Sequence, residues 1–266
     1  MPTDLRHTTT ILLALAIACL LPMPAIGEEA PEGDPVWEAV TSVNTPRSRR
    51  GLAFCPGNGM FYLAGGEATG GNRNNPIEEY DPATNTWTDR ATLLTGVSNG
   101  AAVGVGDLVY VPGGYNGSAG IPDLQIFDPA TNMVTLGTPM PAGNFAHAAA
   151  VLGTDIHVLG GSSTGVAGTT HYIYDTVAGS WSTGAPVPFA TNYPAAASDG
   201  TYVYVLGGTT TNLPNVERYD PGTDSWSTMP PMLTGRGGPG AFWDGRFLWA
   251  VGGGWSTYLT STEYFD

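Results

Sequence analysis

Lysine is absent from this sequence: all nine basic residues are arginine, against 23 acidic ones, for a formal net charge of −14. Such a chain repels phosphate backbones, so nucleic acid is not an expected partner. Charge of either sign is scarce at 12% of residues, and the acidic residues (Glu67, Asp107, Asp155, Asp199, Asp244) are scattered as on a solvated surface rather than gathered in a tail. There is no apolar run long enough to cross a bilayer: the longest, Ile11–Leu21, has eleven residues where about 20 are needed. No membrane span is expected. Cysteine is limited to Cys19 and Cys55, which excludes a disulfide framework. Convincing 3.6-residue periodicity is missing throughout the region after the first apolar run, which excludes a helical fold.

Glycine (38), proline (22) and aromatics (10%) are abundant instead, the composition of a turn-rich all-β chain with ample core material. Residues 1–27 read as an export signal. Arg6 lies in the short n-region, the apolar run follows, Pro22 and Pro24 end it, and Ala25-Ile26-Gly27 supplies the small-x-small cleavage pattern. The expected location is secreted or periplasmic. A second reading anchors the chain through a lipid on Cys19, and is disfavoured because the apolar run continues past that residue. Cys55, beside Phe54 in an apolar strand, reads as a small core residue rather than a reactive thiol. Residues 28–35 are acidic and proline-containing, and read as a linker.

From residue 36 onward one pattern recurs. A glycine pair ends an apolar strand at Gly65-Gly66, Gly113-Gly114, Gly160-Gly161, Gly207-Gly208 and Gly252-Gly253, with spacings of 48, 47, 47 and 45. An aromatic-Asp pair follows each: Tyr80-Asp81, Phe127-Asp128, Tyr174-Asp175, Tyr219-Asp220 and Phe265-Asp266. Three repeats then carry a tryptophan, Trp87, Trp181 and Trp226; Val134 takes that place in the second. Repeats of this period mark propellers or solenoids. Short β-branched runs such as Tyr202–Leu206, preceded by turn dipeptides such as Asp199-Gly200, give four antiparallel strands, a to d, per repeat. Strand a carries small residues, as in Ala195-Ala196-Ala197, which suits a crowded ring centre. The glycine pair is expected to let neighbouring Tyr and Trp side chains pack close. The Asp is expected to cap the c–d turn.

The succession of Gly-Gly, Tyr-Asp and Trp resembles the kelch motif of exported bacterial type. In register five times, it implies an all-β, kelch-type β-propeller over residues 36–266, with blades near 46–90, 95–137, 142–184, 190–229 and 234–266. The chain departs from the motif where repeat two lacks its Trp, and where the usual Arg early in strand a is clear only as Arg236, with Arg47 a weaker match. The last repeat lacks a strand d, and Trp37 within 34–39 resembles a strand d without partners. The two are expected to complete one blade and close the ring, since an open ring would expose sheet edges. A fragment of a larger ring is the other reading.

Candidate chemistry is thin. Gly96-Val97-Ser98-Asn99-Gly100 matches a nucleophile elbow and Gly235–Gly240 a dinucleotide loop, but neither precedes a helix. His147, His157 and His171 lack ligand spacing, so neither metal nor cofactor is expected. Asn116-Gly117-Ser118 reads as a turn. The better signal lies in the loops. By resemblance to kelch propellers, ligands bind the face made by b–c and d–a loops. There the sequence places Arg49, Arg50, Arg73, Tyr115, Asn144, Phe145, Asn192, Tyr193, Arg236 and Trp255. Arg, Asn and aromatics on one rim suit a protein interface or a sugar platform. The expected function is a monomeric recognition module for an extracytoplasmic protein or glycan. The alternatives are a sugar-processing enzyme resembling the kelch-type sialic-acid mutarotases, with Arg49, Arg50 or Arg236 holding the carboxylate, and a scaffold.

Overall fold

The computed structural model describes residues 40–209, 211–254 and 257–266. The expected signal (1–27), the linker (28–35), Trp37 and Trp255 lie outside the described residues. Among the described residues, apolar alternation and turn dipeptides give 19 strands and one short 3-10 turn, Thr69–Gly71. Blade 1 comprises β1 (Gly51–Cys55), β2 (Met60–Ala64), β3 (Pro76–Asp81) and β4 (Thr86–Thr92). Blade 2 comprises β5 (Val103–Val105), β6 (Leu108–Pro112), β7 (Leu124–Asp128) and β8 (Met133–Leu136). Blade 3 holds β9 (Phe145–Leu152), β10 (Asp155–Ser162), β11 (His171–Asp175) and β12 (Ser180–Thr183). Blade 4 holds β13 (Ala195–Ser198), β14 (Val203–Leu206), β15 (Val216–Asp220) and β16 (Ser225–Thr228). Blade 5 shows β17 (Gly240–Trp243), β18 (Leu248–Val251) and β19 (Thr262–Phe265) among the described residues. Every sheet is an antiparallel meander in chain order, and the first strands of successive blades lie side by side. This is an all-β propeller of five blades.

The core lies between blades. One apolar cluster joins blades 1 and 2 around Tyr62, Ile77, Val109 and Phe127, and three more join 2 to 3, 3 to 4 and 4 to 5. In blades 1, 3 and 4 the c-strand aromatic meets the Trp of strand d: Tyr80–Trp87 and Tyr174–Trp181 at 4.9 Å between centroids, Tyr219–Trp226 at 5.2 Å. The Asp beside the aromatic accepts turn amides as expected, from Ala83, Ala130, Val177 and Gly222 at 2.8 Å.

The glycine pairs do a different job from the one expected of them. They give way to backbone, not to aromatic side chains. Both members have positive φ, for example 64° and 94° at Gly65 and Gly66. A Cβ on the first glycine would stand 2.6 Å from the Val97 carbonyl oxygen in blade 1, and 2.5 Å from those of Asn144 and Arg236 in blades 2 and 4. The second glycine donates its N–H to that same incoming chain: Gly66 to Val97, Gly114 to Asn144, Gly161 to Thr191 and Gly208 to Arg236, at 2.7–2.8 Å. The pair is a docking seat for the segment that enters the next blade.

Candidate functional site

Two positions past each docked carbonyl, and at Arg49 in blade 1, the chain turns into the innermost strand, and there the backbone is left-handed: Arg49, Asn99, Ala146, Tyr193 and Gly238, at φ of 51–60°. Four of these are not glycine, so the conformation is held by context, at about 1–2 kcal/mol per residue. The context is a chain of backbone bonds around the axis. Asn99 donates to the Arg49 carbonyl, Ala146 to Asn99, Tyr193 to Ala146 and Gly238 to Tyr193, at 2.6–2.9 Å. Because each kinked residue must lie at the axis, its side chain and those of the b–c loops converge on one mouth of the ring.

Residues of blades 1 to 3 line a cavity of about 400 Å³ there: Arg49, Arg73, Asn99, Tyr115, Ser118, Ala119, Phe145, Ser163 and Thr164. Arg73 is fixed by its surroundings. It donates from Nη2 to Glu67 Oε2 at 2.9 Å, from Nε to Ser98 Oγ at 3.1 Å and from Nη1 to the Gly71 carbonyl at 3.0 Å. Its guanidinium also lies 5.3 Å from the Tyr115 ring centroid. Tyr115 in turn packs against Phe145, centroids 5.3 Å apart. Arg49 reaches the same Glu67 oxygen only at 3.5 Å, with 49% of its side chain exposed. Tyr193 donates to Asn99 Oδ1 at 3.0 Å; burial raises its phenol above the usual range while nearby Arg49 opposes the rise. That phenol keeps its proton near neutrality.

Of the residues expected on the loop face, the structure therefore gathers Arg49, Arg73, Tyr115 and Phe145 around the cavity, with Tyr193 beside it through Asn99. Arg50 is exposed outside the lining. Asn192 is half-buried and donates to the Gly165 carbonyl at 3.2 Å. Two assignments need correcting. Arg236 is 0% exposed and donates to the Gly252 and Ser261 carbonyls, to Ser261 Oγ and to Glu263 Oε1, all at 2.7–2.9 Å. It is an internal tie of blade 5, and Arg47 with Glu78 at 2.7 Å is its counterpart in blade 1. Their position early in the blade, where kelch repeats carry Arg, was the signal for a structural role. Asn144 is 2% exposed and donates to the Gly160 carbonyl at 3.0 Å, so it too faces inward. Glu78 takes Arg47, and Glu79 takes the Tyr62 hydroxyl and Arg90. Asn99, Ser118, Ala119, Ser163 and Thr164 complete the lining; short residues in turns carry little sequence signal.

The histidines lie in the blade junctions. His157 Nδ1 and His171 Nε2 are 3.0 Å apart, and His171 Nδ1 faces the Ala185 carbonyl at 2.9 Å. That carbonyl requires a proton on His171 Nδ1, so His157 Nδ1–H donates to His171 Nε2. Among the described residues no group of three or more His, Cys, Asp or Glu could hold a metal ion.

A sequence profile described as the Kelch motif matches residues 48–94 and 190–233, which hold blades 1 and 4. The chain is a kelch-repeat β-propeller. No curated protein matches this kelch chain in sequence. Among solved structures it is similar to one titled "Structure of YjhT", with a TM-score of 0.72 at 18% identity, over 86% of this chain and 84% of that one. At that identity the likeness is one of fold. No helix of the described kelch ring is long and apolar enough to cross a membrane.

Proposed function

We propose that this kelch propeller is an exported, non-catalytic recognition module that binds a carboxylate-bearing glycan at the mouth cavity of blades 1 to 3. The observation that carries the reading is the pairing of a half-exposed Arg49 with the Tyr115–Phe145 platform in one polar cavity. A guanidinium can accept a carboxylate bidentately. An aromatic face takes the apolar side of a sugar ring, and Asn99, Ser163 and Thr164 offer hydroxyl partners. Two arginines share one Glu67, so the mouth keeps a positive balance within an acidic protein. Glu67 is held by both guanidiniums and the Tyr193 phenol keeps its proton, which favours binding over proton-transfer chemistry. The apolar run Ile11–Leu21 and the Ala25-Ile26-Gly27 cleavage pattern support export.

A glycan array with the full chain, followed by calorimetric titration of the best ligand, tests the reading. Carboxylated sugars should bind in preference to their neutral counterparts. Arg49→Ala should weaken binding by about 10- to 100-fold, the worth of one charged hydrogen bond, and leave stability within about 0.5 kcal/mol. Retained affinity in both Arg49→Ala and Tyr115→Ala, or capture of acidic peptides alone, would count against it.

A further inference from the structure

The blades balance one buried charge in the same way, and blade 4 breaks the pattern. Two residues before the axial kink stand Arg47, Val97, Asn144, Thr191 and Arg236, in blades 1 to 5. The facing place on the third strand holds Glu78, Gln125, Tyr172, Glu217 and Glu263. These are one position of the repeat, each paired with the residue two before the glycine pair, as in Leu63↔Glu78, Val205↔Glu217 and Ala250↔Glu263. In blades 1 and 5 an arginine meets a glutamate at 2.7 Å. In blades 2 and 3 both charges are gone together. Val97 goes with Gln125, whose amide closes on the Thr95 backbone, and Asn144 goes with Tyr172. Blade 4 alone keeps the acid without the base.

Glu217 is 3% exposed, and its Oε2 has no hydrogen-bond partner. No ion pair reaches it among the described residues. The adjacent Arg218 lies over the Tyr202 ring, 4.3 Å from its centroid, as strand alternation turns it to the opposite face. A carboxylate buried in this way is unfavourable unless a cation faces it. Blade 5 shows which atoms surround the missing charge. There the Arg236 guanidinium donates to the Gly252 and Ser261 carbonyls and to Glu263. The counterparts in blade 4 are the Gly207 and Asn215 carbonyls and Glu217, held by the same backbone bond: Gly207 N–H to Asn215 at 2.9 Å, as Gly252 to Ser261 at 3.1 Å. Thr191 is fully buried, and its hydroxyl donates to the Gly207 carbonyl at 2.9 Å. Its side chain ends well short of where a guanidinium would lie.

We propose that blade 4 binds a monovalent alkali cation at this place, between Glu217, the Asn215 carbonyl and the Thr191 hydroxyl. All three donors are oxygen, which selects a hard cation over a soft transition metal. Carbonyl oxygens can replace the hydration shell of an alkali ion. One carboxylate among neutral donors balances a single positive charge, as the arginine does in blades 1 and 5; a divalent ion would leave a buried surplus. The ion ties the segment entering blade 4 to its third strand, the tie that Arg236 makes in blade 5.

Thermal unfolding of the full chain in sodium or potassium chloride, against choline chloride at equal ionic strength, tests this. Choline screens surface charge equally and is too large for the site. The melting temperature should be about 3–8 °C higher in the alkali salt. Glu217→Gln should remove that difference. Thr191→Arg should remove it too, while raising the melting temperature in choline chloride, because its guanidinium supplies the charge. Equal melting of the unaltered protein in the two salts would overturn the proposal, and this comparison decides alone should a variant fail to fold. A difference that survives in Glu217→Gln, or a response to calcium chloride only, would overturn it as well.

Discussion

Four junctions between neighbouring blades and the fifth, between blades 5 and 1, are built from the same repeat and differ in how far it is completed. Each of the four has an axial backbone bond, a docked glycine pair and an apolar cluster. At the fifth, among the described residues, neither the Arg49 N–H nor the Gly253 N–H makes the corresponding backbone bond, and no fifth cluster forms. The blade 5 face that would fill it, Phe242, Trp249, Val251 and Tyr264, remains partly in solvent, with Tyr264 62% exposed. Opposite it Leu52 is 43% exposed. Repeat proteins gain stability as a sum over units and nearest-neighbour interfaces. Four interfaces therefore carry the described ring, and the mouth cavity, placed across blades 1 to 3, sits where those interfaces are complete.

The largest effect is expected at a completed junction. Gly207 has φ of 64°, and a Cβ there would lie 2.5 Å from the Arg236 carbonyl oxygen. Gly207→Ala combines left-handed strain with displacement of the docked chain, together about 2–5 kcal/mol of destabilisation. Urea denaturation measures it. A loss below about 1 kcal/mol would mean that the docked segment yields freely and that the glycine seat is no tight joint.

This joint marks the limit of what the sequence discloses. The ring, its blade count and the capping Asp are legible because each repeats at a fixed spacing, and five coincident weak signals exclude chance. The role of the glycine pair was not, because its partner is a carbonyl some 30 residues further on, as from Gly66 to Val97, and backbone atoms carry no letter. The mouth was legible in part. Arg49, Arg73, Tyr115 and Phe145 stand out by side-chain type, whereas Arg236 has the same letter as Arg49 and the opposite environment. Burial of an ion pair depends on what the arginine meets across its own blade, here Ser261 and Glu263, rather than on local sequence.

Acid should separate the junctions by composition. His147, at the junction of blades 2 and 3, is held down to about 4 by burial, against which the Pro112 carbonyl acts. His157, at the junction of 3 and 4, is pushed down to about 3 by burial and by His171. Folded values below the unfolded value of about 6.5 mean that the unfolded chain takes up protons first. The stability these groups contribute is whole above pH 6.5 or so and falls as the pH drops towards their folded values. At about pH 5 each costs about 2 kcal/mol relative to neutrality. Asp81, Asp128, Asp224 and Asp244 are held below the usual carboxylate range by hydrogen bonds, and their loss begins lower, below about pH 4. Denaturation at about pH 7 and pH 5 should show the histidine loss, and replacing both His147 and His157 with Gln should flatten it. An undiminished slope in that double variant would assign the effect elsewhere.

The smallest expected effect bears on the fifth junction directly. Gly252 is the counterpart of Gly207, at φ of 60°, yet the nearest atom a Cβ would meet is the Leu259 carbonyl oxygen at 3.5 Å. In the described geometry Gly252→Ala costs only its left-handed strain, about 1–2 kcal/mol. Urea denaturation of Gly252→Ala beside Gly207→Ala measures the contrast, and the blade 5 variant should lose about 1–3 kcal/mol less. An equal loss in the two variants would mean that a carbonyl crowds Gly252 as that of Arg236 crowds Gly207, and that the fifth junction is docked like the other four.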